Sequence, residues 1–182
     1  MNKRTKLLIL ACLVPILILI GMTVTPLYTL YKGKEIALAT IPVDPSDPFR
    51  GDYVSLRFEA EEVPLKLVDK EIVDKQTRFS GTRVYVSLTE VDGVYQPTKV
   101  TLDKPEDGTY LKGNFQYIGR AWDPVNQKET DEVAFIEYSL DKYFVEDNTG
   151  LQWENASMEG DIIAKAKVFN GYAYLTDIKL KK

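Results

Sequence analysis

The chain of 182 residues contains no histidine, and that absence removes more chemistry than any other feature of its composition. Without an imidazole there is no Ser-His-Asp or Cys-His catalysis, no ordinary zinc site, and no side chain that titrates near neutrality when unperturbed. Cysteine is nearly as scarce. Cys12 is the only one, so no disulfide can staple the fold. It reads as a small apolar residue, because only five apolar residues precede it and many follow, the reverse of a lipoprotein cleavage box. Internal repeats, low-complexity tracts and long amphipathic helical patterns are all missing. Positive charge is in the minority. The first 31 residues hold three of the 23 basic residues and no acid, which leaves 20 basic against 27 acidic residues, a net of −7. Such a surface has no electrostatic footprint for nucleic acid and as a whole is repelled by anionic lipid headgroups. No cofactor is expected.

What is present begins with Lys3, Arg4 and Lys6, followed by an almost wholly apolar run from Leu7 to about Leu30. Roughly 20 apolar residues span a bilayer core, whereas the core of a cleaved signal peptide is nearer 7 to 15. Thr23-Val24-Thr25 is a poor cleavage site with Pro26 behind it. Residues 7–31 are therefore expected to be an uncleaved signal anchor contacting the lipid bilayer, after a basic segment 1–6. Basic residues before the span place the N-terminus in the cytoplasm and residues 32–182 outside it, as a single-pass protein of the cell membrane.

The outer part is organised around Ile41 to Phe58. Pro42, Pro45 and Pro48 hold the backbone extended and remove three donors. Gly51-Asp52 then turns the chain, with Gly51 expected at positive φ. From Tyr53 the pattern alternates, Val54, Leu56 and Phe58 on one face, as in a half-buried strand. Asp44 or Asp47 is expected to pair with Arg50, and Arg50 and Asp52 to hold the loop against the sheet, with Tyr53 pointing away from the apolar face.

Gly51-Asp52-Tyr53-x-x-Leu56-x-Phe58, preceded by Pro-Val-Asp-Pro-x-Asp-Pro-x-Arg, resembles the signature of the bacterial GDYXXLXY family, with Phe58 where the signature has tyrosine. Tyr143-Phe144-Val145-Glu146, then Gly150 and Glu154, is similar to the family's C-terminal half. With the N-terminal apolar run, the resemblance covers most of the chain. It implies a membrane-anchored protein, often encoded beside a multi-spanning membrane protein.

Elsewhere strands dominate the pattern. They are expected over Glu35–Ile41, Tyr53–Ala60, Thr82–Glu90, Val94–Leu102, Tyr110–Trp122 and Glu132–Leu140, with Pro64 breaking the second, Pro97 interrupting the fourth, and Gly113 and Gly119 marking a bulge or bend. Asp92-Gly93 is a hairpin signal, and Asn170-Gly171 between Asp161–Phe169 and Tyr172–Leu180 is the strongest of all. Short helical turns are expected within Leu65–Thr77 and Thr149–Met158. The fold class is all-β, a barrel or sandwich of about seven or eight strands with little helix.

Candidate chemistry is sparse. Asp44, Asp47 and Asp52 lack the spacing of a calcium loop and read as turn caps, so no metal is expected. One anchor, an extended approach and a Gly-Asp turn into a strand also resemble signal peptidases. In those enzymes a nucleophilic serine stands eight residues before the Gly-Asp turn, and here that position is Val43. Ser46, with Lys66 or Lys99 as base, is the least implausible alternative. Glu146, Asp147 and Glu154 beside Tyr143 and Trp153 form an acidic-aromatic group that suits a partner-binding rim better than paired-carboxylate catalysis. The expected function is a non-enzymatic accessory subunit of another integral membrane protein. A peptidase-like hydrolase and a small-ligand-binding barrel mouth are the alternatives.

Overall fold

The computed structural model describes residues 3–43, 53–123, 128–146 and 149–181. The apolar run forms one helix, α1 (Lys3–Lys32), which continues past Pro15 and Pro26. Its segment Leu10–Lys32 has a mean hydropathy of 2.3 and is long and apolar enough to cross a bilayer. Gly33 ends the helix, its N–H returning to the Thr29 carbonyl at 2.7 Å.

The remainder is β-rich: β1 (Lys34–Ile41), β2 (Tyr53–Ser55), β3 (Arg57–Phe58), β4 (Glu62–Pro64), β5 (Arg83–Val91), β6 (Val94–Thr101), β7 (Thr109–Asp123), β8 (Lys128–Glu137), β9 (Lys142–Phe144), β10 (Ile162–Phe169) and β11 (Tyr172–Leu180). Three short helices accompany them: α2 (Lys70–Asp74), α3 (Gln76–Phe79) and α4 (Gly150–Glu159). Seven strands are long and four have only two or three residues. The expected seven or eight thus matches the long strands, and the short ones raise the number to eleven.

The strands form a four-stranded sheet ordered β11-β10-β1-β3, a five-stranded sheet ordered β4-β8-β7-β5-β6, and the two-stranded ribbon β2-β9. Every strand pair is antiparallel. Both larger sheets turn alternate residues into one core. It includes Ile36 and Leu38 of β1, Ala164 and Ala166 of β10, Val84 and Val86 of β5, and Phe115 and Ile136 from β7 and β8. The sheets do not close on themselves, so of the two expected forms the barrel gives way to open layers.

Two hairpins form as their turns require. Asp92 and Gly93 have φ of 51° and 83°, and Asn170 and Gly171 of 50° and 76°, the double positive φ that matches the twist of a two-residue hairpin. Three expectations are corrected. The alternating run from Tyr53 is not one strand: it splits at Leu56, whose N–H leaves the ladder to donate to the Asp141 carbonyl at 2.9 Å. Pro64 does not break a strand but ends β4, at a sheet edge where its missing donor is tolerated. The bulges of β7 fall between Phe115 and Tyr117 and between Arg120 and Trp122, not at the glycines. Gly113 serves close packing instead, since a Cβ there would come within 2.5 Å of the Ile136 side chain.

The helix and the β-domain are joined by more than the chain. Lys167 Nζ donates to the Leu30 carbonyl at 2.6 Å, a basic cap on the last turn of α1. The Tyr28 ring meets Phe169 edge-on, centroids 4.8 Å apart.

Candidate functional site

The motif strand and the Tyr143–Glu146 stretch lie in one place. The β2-β9 ribbon sets Tyr53 opposite Phe144, Val54 opposite Tyr143, and Ser55 opposite Lys142. Residues some ninety positions apart are thus cross-strand neighbours, the unit of stabilisation in a sheet. Across the ribbon the rings of Tyr53 and Phe144 meet edge-on, centroids 6.1 Å apart. Lys142 Nζ lies 5.4 Å from the centre of the Tyr53 ring, within range of a cation–π contact. Val54, Leu56 and Phe58 are 1%, 2% and 0% exposed, so the apolar face expected from their alternation is fully buried although the strand is broken. Phe144 is the opposite: 77% of it faces solvent.

The proline loop enters and leaves this ribbon under the control of α4. At its entry the Val43 N–H donates to the Ser157 carbonyl at 3.1 Å. At its exit the Ser157 hydroxyl, buried in α4, donates to the Ser55 carbonyl at 2.6 Å. Gly160 caps α4 in the left-handed region at φ 72°, the usual glycine stop. A Cβ at Gly160 would sit 2.7 Å from the Pro42 ring. Ser157 and Gly160 thus fasten both ends of the loop, a role no local pattern announces. Asp44, Ser46, Asp47, Arg50, Gly51 and Asp52 lie outside the described residues, and with them the Arg50–Asp52 clasp, the positive φ at Gly51 and the Ser46 alternative.

The second stretch divides. Glu146 lines an open cleft of about 400 Å³ with Tyr143, Phe144, Trp153 and Asp177. Its carbonyl accepts from the Thr149 hydroxyl at 2.7 Å, just before Gly150 opens α4. Glu154 is not among the residues lining that cleft; Asp147 lies outside the described residues. Asp177 also lines the cleft, unforeseen because it stands on β11, far along the chain. The Tyr143 hydroxyl donates to the Thr176 carbonyl at 3.3 Å. Partial burial, with Asp177 and Tyr174 nearby, pushes its pKa up. Lys66 and Lys99 are exposed, and Lys99 pairs with Asp69 at 3.6 Å. Neither is desolvated as a lysine base must be. Among the described residues no group of three or more His, Cys, Asp or Glu side chains is gathered to hold a metal.

One feature escapes the sequence entirely. Glu61 follows the motif strand on a helical turn, Glu59–Glu61, with a side chain only 12% exposed. Burial pushes its pKa up to about 8, against the pull of Arg57 and of the Phe58 N–H. The Arg57–Glu61 separation is 3.9 Å, nominally an ion pair, but Arg57 is 3.2 Å from Glu62. We therefore read Glu61 at neutral pH as a protonated acid beside a cation whose closer partner is Glu62. The buried Tyr138 hydroxyl donates to the Ala60 carbonyl at 2.9 Å; burial first, and then Glu61, push its pKa well up. The lack of histidine excludes an unperturbed group titrating near neutrality, and burial supplies a perturbed one from a carboxyl.

Comparison with known proteins covers both motifs in a single match. The profile of the GDYXXLXY protein family matches residues 15–178. The chain belongs to the GDYXXLXY family. No curated protein and no solved structure matches it. In this GDYXXLXY protein the signature marks a β-ribbon tied to the C-terminal half, and the signature's last position, Phe58, is a core residue with no exposed surface. Its ring is used for packing.

Proposed function

We propose that this GDYXXLXY protein is a non-enzymatic accessory subunit of another integral membrane protein, presenting the β2-β9 ribbon as its contact surface. It would be held in a bacterial cell membrane by α1 as a signal anchor, N-terminus in the cytoplasm and β-domain outside. The observation that carries the reading is Phe144. A fixed aromatic, 77% exposed, stands on a ribbon whose other face is anchored in the core. Exposed aromatics on rigid elements are the residues that anchor interfaces. The cleft beside it, with Trp153, Glu146 and Asp177, extends the same surface with acidic character.

The test is gentle solubilisation of the full-length chain followed by capture and identification of what accompanies it. A membrane protein recovered with wild type and lost with Phe144→Ala, at unchanged melting temperature, is the expected result. Recovery of the chain alone across several detergents would refute the reading. No observation favours the hydrolase alternative.

A further inference from the structure

The β-domain's net charge is negative, yet where it meets α1 it is not. A cleft of about 360 Å³ opens there, with Thr25 of α1 on one wall and Arg83, Lys112, Glu137 and Tyr172 among the others. Among the described residues neither the Arg83 guanidinium nor the Lys112 ammonium has a hydrogen-bond or ion-pair partner, whereas seven other cations of the domain are ion-paired. Glu137, the acid in the cleft, accepts from Gln116 Nε2 at 2.6 Å. Two unpaired cations therefore share one concave site.

Its depth is set by Thr25. At 1.5 Å per residue Thr25 lies about 10 Å before Lys32, and the 30 residues of α1 measure about 45 Å. A bilayer is about 30 Å of hydrocarbon with headgroup layers that bring it to about 40–45 Å. Centred in such a bilayer, α1 leaves the hydrocarbon a turn before its end. Thr25 then stands at the acyl boundary and Tyr28 to Lys32 stand among the headgroups. Tyr28, Tyr31 and the hairpin-tip residues Phe169 and Tyr172 lie where aromatic residues collect at membrane interfaces. The contacts of Phe169 with Tyr28 and of Lys167 with Leu30 fix the domain at that height.

We propose that this cleft receives the headgroup phosphate of an anionic membrane lipid, held by Arg83 and Lys112, with its acyl chains lying along α1. The proposal rests on α1 spanning the membrane but not on the accessory-subunit reading. It also gives a use to cations that the rest of the fold leaves without partners.

The experiment is native mass spectrometry of the full-length chain, released from nanodiscs of phosphatidylcholine and phosphatidylglycerol at 3:1. Each Lys or Arg close to an anionic lipid surface is worth about fivefold in binding. Wild type should therefore retain phosphatidylglycerol in preference to phosphatidylcholine, and Arg83→Gln/Lys112→Gln should reduce that preference by about 30-fold. Lys99→Gln/Arg120→Gln, which removes paired cations elsewhere, should leave it unchanged. If the double variant fails to fold, each single variant should lose about fivefold. Equal retention of both lipids by wild type, or a preference that survives the double variant, would overturn the proposal. So would thermal stabilisation by inorganic phosphate alone to the degree given by phosphatidylglycerol, which would mark a site for a free anion. Release of the chain from membranes by alkaline extraction would remove the span and the proposal with it. Loss of the co-purifying protein with the lipid preference intact would sink only the accessory reading.

Discussion

Replacing Glu61 with glutamine should abolish a pH dependence of stability that the wild-type chain carries through neutrality. In the folded chain burial holds the Glu61 proton up to about pH 8, while the unfolded chain releases it near the ordinary value of 4.5. Between those limits the native state binds one more proton than the unfolded state, so stability falls as pH rises, by about 1.4 kcal/mol per pH unit. The full interval from 4.5 to about 8 thus removes at most about 5 kcal/mol. Glutamine has nearly the same shape, can still accept from the Phe58 N–H, and cannot ionise. Thermal melts of the full-length chain in detergent, wild type against Glu61→Gln, isolate this group because every other titration is common to both. The two should melt together at about pH 4, below the ordinary value of 4.5. At pH 9 the variant should melt higher, by about 2–4 °C for each kcal/mol in a chain of this size, and so by about 20 °C at most. Parallel curves from pH 5 to 9 would mean that Glu61 is ionised in the native state, and the assignment of Arg57 to Glu62 would fall with it.

Gly160→Ala should lower the melting temperature well beyond the approximately 1 kcal/mol of a left-handed alanine, because the new methyl meets the Pro42 ring. Gly81→Ala, at φ 74° with open space around it, isolates that backbone contribution as a control in the same melts. Ser157→Ala removes the bond to the Ser55 carbonyl and should cost about 1–2 kcal/mol in a denaturant titration. Phe144→Ala, exposed and outside the core, should leave stability within about 0.5 kcal/mol while partner recovery falls in the capture experiment.

The long strands are legible in the sequence because alternation is local. Val84-x-Val86-x-Leu88, or Asp161 to Phe169 before Asn-Gly, needs no knowledge of the remaining chain. The split at Leu56 is hidden for the opposite reason. Val54, Leu56 and Phe58 satisfy the period of two whether their strand pairs once or changes partners midway, and only Asp141, 85 positions on, decides which. The pairing of Tyr53 with Phe144 is hidden likewise, since register across ninety residues leaves no trace in either segment. Glu61 gives no sign of itself because Glu-Glu before Val-Pro reads as a solvated break, while the groups that influence it, Tyr138 and Asp141, stand far along the chain. Ser157 and Gly160 carry the one available hint, since Gly directly after a helical stretch is a stop. What that stop is packed against cannot be read from the chain.

The pairing of β1 with β10 has a consequence for how the protein is made. The first strand beyond α1 finds its main partner in residues 162–169, and β10 in turn needs β11, which ends at Leu180. Synthesis therefore delivers β1 (Lys34–Ile41) long before the strands Ile162–Phe169 and Tyr172–Leu180 that complete its sheet. Until then the ladder edge that β10 covers stands open. Closure of so long a loop is slow compared with local hairpins. A stop codon that removes only the final hairpin would leave the β10-facing edge of β1 unpaired, the kind of edge that recruits other chains and that quality-control proteases meet first.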